Sequence, residues 1–131
     1  MCGQREPLLY VNDMVDAAER IIGICGGVDP AHLLTDLDRS DIILWRLTVL
    51  GEAAKGVPEA TRDAHPEVAW SEAARLRDRI VHHYEGVDAA EIAAVVTSDI
   101  PRLLAGLKPL QAALLADWRR RQEREPELED W

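Results

Sequence analysis

The sequence predicts an all-α fold, a bundle of four longer helices with one or two short ones. Apolar residues make up 47% of the 131 residues, enough for the core of one domain. Aromatic residues make up only 5% and Phe is absent, so Leu, Ile, Val and Ala must build that core. A core rich in Ala favours closely packed helices over a sheet. Apolar positions recur every three or four residues, and no segment shows the alternation expected of a strand.

The first long helix is predicted to begin at Leu8, where the apolar spacing starts, and to end at Gly26-Gly27. Its apolar face consists of Leu8, Val11, Val15, Ala18 and Ile22. Asp29 followed by Pro30 is typical of a helix start, which predicts a short helix through Leu34.

The second long helix is predicted over residues 41–55, with Asp38 or Ser40 as its N-cap. Apolar residues lie almost all round it, which indicates burial on more than one side. Small residues at 51, 53 and 54 would let another helix approach closely. Glu52 interrupts this apolar segment, and two interpretations stay open: a solvated position, or a charge partner for an arginine of the next long helix.

The third long helix follows a break at His65-Pro66, with at most a short helical turn in residues 59–69. It is predicted to begin at Ser71 or just before it. Its inward stripe is predicted to consist of Trp70, Ala73, Ala74, Arg77, Val81 and Tyr84.

The C-terminal part is predicted to hold a helix over residues 89–96, capped by Asp88, and a last long helix that starts near Ser98. Pro109 is expected to kink or interrupt the last helix. The helical domain is predicted to span residues 1–112. Residues 113–131 are predicted to form a charged helical extension and a disordered tail.

The net charge of −9 argues against a generic nucleic-acid binder. A phosphate responds chiefly to charges within about 8 Å at physiological salt, however, so a local basic cluster can still bind RNA. The chain has no apolar run long enough for a bilayer and no signal-peptide pattern, which predicts a cytoplasmic protein that binds no membrane. The sequence has no zinc-ligand spacing and no carboxylate cluster of a two-metal nuclease, so no metal and no cofactor are expected.

A basic cluster lies at residues 75–84, with three arginines, two histidines and one tyrosine. Four residues separate Arg77 from His82. Histidine exchanges protons near neutral pH, and arginine offers a charged planar fork to phosphate. This pair suits cleavage of RNA by its own 2′-hydroxyl, with His82 assisting proton transfer and Arg77 stabilising the charge of the transition state.

Helical geometry constrains this pair, because Arg77 and His82 lie about 140° apart around a continuous helix. Either the helix ends at His82, as the nearby Gly86 permits, or residues from a second subunit complete the site. Arg77 and Tyr84 share a face, with a rise of about 10 Å between them.

The order Arg77-Asp78-x3-His82-x-Tyr84 resembles the Arg-x4-His-x-Tyr signature of HepT-like toxins, a branch of the HEPN superfamily of small helical ribonucleases. The resemblance runs from about Leu8 to about Leu110. Its other landmarks are residues 10–21, Gly51-Glu52-Ala53-Ala54 and Pro66-Glu67-Val68-Ala69-Trp70.

The resemblance implies a HEPN-type bundle that forms a twofold homodimer, with the paired motifs lining one cleft. It implies a toxin that cleaves RNA without metal, with Arg77 and His82 as catalytic residues. The implied partner is an antitoxin, a minimal nucleotidyltransferase, which attaches AMP groups to Tyr84.

The neighbours of the pair have supporting roles in this interpretation. Asp78 stands where the family commonly has a polar residue, often asparagine; it can orient Arg77 but adds negative charge near the phosphate. Arg75, Arg79 and His83 are candidate RNA contacts, with His83 also interpretable as a plain surface residue. Trp70 is predicted to anchor the core rather than stack on bases.

Two functions compete at this point. The first is the endoribonuclease toxin. The second is a catalytically inactive module that binds and regulates a minimal nucleotidyltransferase, which the acidic net charge favours. A third interpretation, a plain bundle with a chance motif, leaves the other landmarks unexplained.

Overall fold

A computed structural model of the chain describes residues 5–82 and 89–124, and it describes side chains for all of these except residues 79–82. The elements in order are α1 (Pro7–Cys25), a 3₁₀ turn (Pro30–His32), α2 (Leu37–Gly56), α3 (Glu59–Ala64), α4 (Trp70–His82), α5 (Ala89–Ala94), a π-helical turn (Val95–Asp99) and α6 (Ile100–Arg124). No strand occurs within this described part. The predicted all-α, HEPN-like bundle of four longer helices with one or two short ones is confirmed.

The core lies between the long helices, where α2 packs against α1 and α4, and α6 packs against α1. The predicted apolar face of α1 is confirmed, since its residues are buried or packed against the core. The face predicted for the last helix is confirmed in the same way; it consists of Ile100, Leu103, Leu104, Leu107, Leu110 and Leu114. Several large side chains are completely excluded from solvent, among them Met14, Ile21, Leu47, Ile100 and Leu107. Burial of this apolar surface is the main force that holds the four helices together.

One helix start and one helix end differ from the prediction. Asp36, rather than Asp38 or Ser40, caps α2: its carboxylate accepts the backbone N–H of Arg39 at 3.0 Å. That hydrogen bond lowers the pKa of Asp36. Asp29 caps its turn as predicted, accepting the backbone N–H of Ala31 at 2.9 Å, but the turn ends at His32.

The C-terminal helix is more continuous than predicted. The π-helical turn leads directly into α6, and Pro109 lies inside α6 without interrupting it. Pro109 and Ala105, whose carbonyl would have been its partner, are both exposed, so water can satisfy that carbonyl. The division at residue 112 falls within this helix and stays a prediction. Asp88 and the tail from residue 125 lie outside the described residues.

The crossing of α2 and α4 is close because Gly51 has no side chain. A Cβ at this position would lie 2.7 Å from the Cβ of Arg77 and 2.8 Å from its backbone nitrogen. The close helix approach predicted from the small residues is therefore confirmed. It places Arg77 directly on α2.

Candidate active site

Arg77 lies on the face of α4 that packs on α2. Its Nε lies 2.9 Å from Oε1 of Glu52 in an ion pair, and the start of its side chain covers Gly51. Of the two interpretations of Glu52, the structure therefore shows the charge partner of an arginine. The two side chains are 37% and 54% exposed, so solvent weakens the pair to about 0–1 kcal/mol of stability. Its main effect is to orient the guanidinium.

Asp78 is held chiefly by a residue that the sequence did not single out, Lys55. The Lys55 ammonium donates to Oδ1 of Asp78 at 2.8 Å, and Nη1 of Arg77 approaches the same oxygen at 3.4 Å. The hydrogen bond from Lys55, reinforced by that from Arg77, lowers the pKa of Asp78. The negative charge that Asp78 brings near the motif is therefore partly neutralised by Lys55.

The cluster of Glu52, Lys55, Arg77 and Asp78 balances two carboxylates against two cations. Glu52 occupies the Nε edge of Arg77, and Asp78 reaches only Nη1. Nη2 of Arg77 has no partner among the side chains that the structure describes. A guanidinium anchored in this way keeps donors free for a phosphate oxygen.

His82 is the last described residue of α4, which runs without a break from Trp70. The helix therefore does not end before His82, and positions 77 and 82 lie about 140° apart around it. Within one chain, the helix does not bring these two positions onto one face. The side chains of Arg79 and His82 are not described, and His83 and Tyr84 lie outside the described residues.

Other residues of the motif helix divide between core and surface. Trp70 is only 8% exposed, and its indole N–H donates to the carbonyl of His65 at 2.9 Å, which confirms the core anchor. Leu76 is buried although the predicted stripe omitted it. Arg75 is exposed, lines a groove between α4 and α6, and forms no ion pair with any described residue.

Comparison with known proteins identifies the family. The ribonuclease HepT-like family matches residues 14–110, a stretch that holds Glu52, Arg77 and His82. The chain belongs to the ribonuclease HepT-like family.

Curated relatives agree with this family. A protein of Thermococcus cleftensis named "Probable ribonuclease HepT" is 32% identical over 102 residues, covering 78% of this chain and 93% of the relative. A protein of Methanocaldococcus jannaschii named as a putative RNase is 30% identical, covering 70% of this chain and 76% of the relative. Another, of Caldanaerobacter subterraneus subsp. tengcongensis, is 27% identical, covering 81% of this chain and 95% of the relative. No solved structure matches the chain significantly. The curated HepT-like relatives support a ribonuclease of the HEPN type.

Two residues near the HepT-like motif escaped sequence reasoning. Lys55 lies three residues after Glu52, and this spacing places both side chains on one side of α2. That spacing is the signal in the sequence that could have identified Lys55 as part of the site. Trp45 is 62% exposed although the apolar pattern of α2 indicated burial on several sides. No signal in the sequence distinguishes Trp45 from its buried neighbours, because the apolar residues surround the helix.

No group of three or more His, Cys, Asp or Glu side chains suited to a metal occurs where the structure describes the chain. Among residues 5–82 and 89–124, no helix combines the length and apolar composition of a bilayer-spanning segment. Independence of metal stays a prediction.

Proposed function

We propose that this HepT-like chain is a metal-independent endoribonuclease and the toxin of a toxin–antitoxin pair. The observation that carries the proposal is the setting of Arg77: Glu52 anchors it at 2.9 Å through Nε and leaves an Nη edge free. His82 follows five residues later on the same continuous helix. An anchored guanidinium and a histidine can together carry metal-free RNA cleavage, by charge stabilisation and proton transfer.

The reaction uses the substrate's own 2′-hydroxyl. The 2′-oxygen attacks the neighbouring phosphorus, and the bond from phosphorus to the 5′-oxygen breaks. His82 assists the transfer of the proton that leaves the 2′-oxygen or reaches the 5′-oxygen. Arg77 binds the phosphate and stabilises its growing negative charge. The products are a 2′,3′-cyclic phosphate and a 5′-hydroxyl.

The active form in this proposal is a twofold homodimer in which two Arg77/His82 sets line one cleft. The separation of positions 77 and 82 around α4 supports it, because residues of a second subunit can complete each site. The exposed indole of Trp45 also supports it. Trp45 lies seven residues before Glu52, on the same stripe of α2, so a subunit that covers it would lie close to Arg77.

The antitoxin in this proposal is a minimal nucleotidyltransferase that attaches AMP to Tyr84. Tyr84 lies two residues after His82, so a bulky anionic adduct there would repel the RNA phosphates and block access to the histidine. The competing function is an inactive module that regulates the nucleotidyltransferase. The net charge of −9 and the balanced charges around Arg77 favour it.

The test is RNA cleavage by the purified protein in EDTA, after mass spectrometry has confirmed that Tyr84 is unmodified. Wild type should leave cyclic phosphates, and Arg77→Ala and His82→Ala should each abolish cleavage while still folding and dimerising. His32→Ala and Arg119→Ala are matched controls, because both residues are exposed and distant from the motif in the chain. If the unmodified wild type cuts none of a broad set of RNAs, the regulatory module replaces the ribonuclease.

A further inference from the structure

A groove separates the motif helix from the last helix. Because α4 packs on α2 and α6 packs on α1, these two helices face each other across a space of about 340 Å³. A space of this size lies within the range of small-ligand sites. Its floor is apolar and includes Val68, Leu76 and Leu103. Charged side chains form its rim.

The rim of the groove combines three carboxylates with two arginines. Arg102 bridges two of its carboxylates, at 3.2 Å from Asp99 and 3.6 Å from Glu72. A third carboxylate, Glu67, lies 3.3 Å from a ring nitrogen of His65. Each carboxylate still has lone pairs for further donors, because a carboxylate accepts about four hydrogen bonds. Arg75 provides a cation that no described residue pairs.

The groove is in register with the motif. Positions 75 and 82 are seven residues apart, so they lie on one stripe of α4 with a rise of about 10 Å between them. Arg75 belongs to the rim of the groove, and α4 continues from there to His82. A single RNA strand that crosses position 82 can therefore place a neighbouring nucleotide at the groove.

We infer that this groove holds one RNA base, that of a nucleotide next to the scissile phosphate, and that guanine fits it best. The inference rests on the proposed ribonuclease function and adds its specificity. Arg75 binds the phosphate of that nucleotide, and the apolar floor contacts the ring face. Proteins that read single-stranded RNA take up splayed bases in this way.

The preference for guanine follows from the carboxylates of the rim. Guanine carries N1–H and the 2-amino group side by side, and these two donors match the two oxygens of one carboxylate. Uracil has a single N–H between two carbonyl oxygens. The carboxylates would repel those oxygens, because both groups only accept hydrogen bonds. The three carboxylates disfavour a phosphate inside the groove, so the phosphate lies at Arg75.

Gly106 allows the groove to be filled without disturbing the core. A Cβ there would meet Cγ2 of Val68 at 3.6 Å, an ordinary contact, so Gly106→Met extends its side chain into the groove. Gly23→Met is the matched control, because a Cβ on Gly23 of α1 meets nothing within 4 Å. Glu72→Gln is a second variant, at a side chain that is 60% exposed and therefore safe for folding.

The experiment measures binding of fluorescent oligouridines with 2′-fluoro riboses, which cannot be cleaved, carrying one central guanine, hypoxanthine or uracil base. Wild type and Gly23→Met should bind the guanine strand about tenfold more tightly than the uracil strand, with hypoxanthine between them. Gly106→Met should lose about tenfold in affinity for the guanine strand, and Glu72→Gln should lose the preference for guanine.

Three results would overturn the inference: no RNA binding by wild type, equal affinity for the three bases, or an unchanged preference in folded Gly106→Met. If Gly106→Met binds RNA like wild type but no longer binds the nucleotidyltransferase, the groove is a protein-docking site. Cleavage assays on the corresponding strands with 2′-hydroxyl riboses distinguish a failure of the ribonuclease proposal from a failure of the groove proposal. A preference in binding without cleavage contradicts the ribonuclease alone, and cleavage without base preference contradicts the groove alone.

Discussion

Oε1 of Glu52 and Nε of Arg77 lie 2.9 Å apart and join α2 to the motif helix α4. The pair lies beside the point where Gly51 lets the two helices meet. The direction of the guanidinium therefore depends on how these helices cross, and the packed core determines that crossing.

Glu52→Gln should lower RNA cleavage about 10- to 100-fold, because Arg77 loses the charge that orients it. The free energy of unfolding should change by at most about 1 kcal/mol, since the pair is half exposed. Single-turnover cleavage and urea denaturation measure the two effects. Glu19→Gln is the control: Glu19 is 51% exposed and pairs with Lys108 at 3.5 Å, also between two helices, and its loss should leave cleavage unchanged.

Gly51→Ala should destabilise the protein by about 1–3 kcal/mol, because the new methyl group would overlap Arg77 and push α4 from α2. Cleavage should fall as well, since Arg77 moves with α4. Gly23→Ala should stabilise the protein by about 0.5–1 kcal/mol, because that helical position is open. Chemical denaturation of both variants checks the prediction. Equal stability of Gly51→Ala and wild type would contradict the close crossing.

Asp78 should make stability depend on pH in the acid range. Its pKa is lowered in the folded protein, chiefly by Lys55, so its stabilising contribution is present above the usual aspartate pKa of about 3.9. That contribution is lost as the pH falls through the lowered folded value. Wild type should therefore melt at a higher temperature than Asp78→Asn at pH 7, and the difference should shrink below about pH 4. Thermal melts across this range measure it.

Lys55→Gln provides the complementary test of this ion pair. The hydrogen bond from Lys55 is the largest cause of the lowered Asp78 pKa, so the pKa should be lowered less in this variant. An NMR titration of the Asp78 carboxyl carbon in both proteins would show it. An unchanged titration would mean that Asp78 does not rely on Lys55.

Mixed dimers should reveal whether each site combines two subunits. Arg77→Ala and His82→Ala homodimers should both be inactive. In a mixed dimer, Arg77 of one subunit and His82 of the other remain intact, so one of two shared sites survives. Statistical mixing makes half of the dimers mixed, which predicts about a quarter of wild-type cleavage. Activity that stays absent after verified subunit exchange would place both residues of each site in one chain.

Trp45→Glu should convert the proposed dimer to a monomer and abolish cleavage, because it puts a charge on the exposed apolar surface beside Glu52. Trp118→Glu is the matched control, since Trp118 is also exposed, at 39%, but lies on α6. Sedimentation and cleavage measure the outcome. A Trp45→Glu protein that remains dimeric would show that this surface is not the interface.

Local chemistry explains why so much of the fold was predictable. The apolar faces of α1 and α6 and the cap at Asp29 are formed by residues that lie close together in the sequence. The sequence pattern alone therefore predicts them. Asp36 was missed because several capping residues lie within five positions, and only the backbone decides which one bonds an open N–H. Pro109 was expected to kink or interrupt α6, but the helix continues through it, and its exposed position lets water satisfy the freed carbonyl.

The sequence by itself determined the four long helices, the close approach at Gly51, the resemblance to HepT-like ribonucleases and the spacing of Arg77 from His82. Only the tertiary structure decided that Glu52 and Lys55, both on α2, hold Arg77 and Asp78 on α4. It also decided that a groove opens beside Arg75 and that Trp45 faces solvent. The physical reason is that a periodic pattern records which residues avoid water, whereas charge pairing and grooves depend on how two helices lie against each other in space.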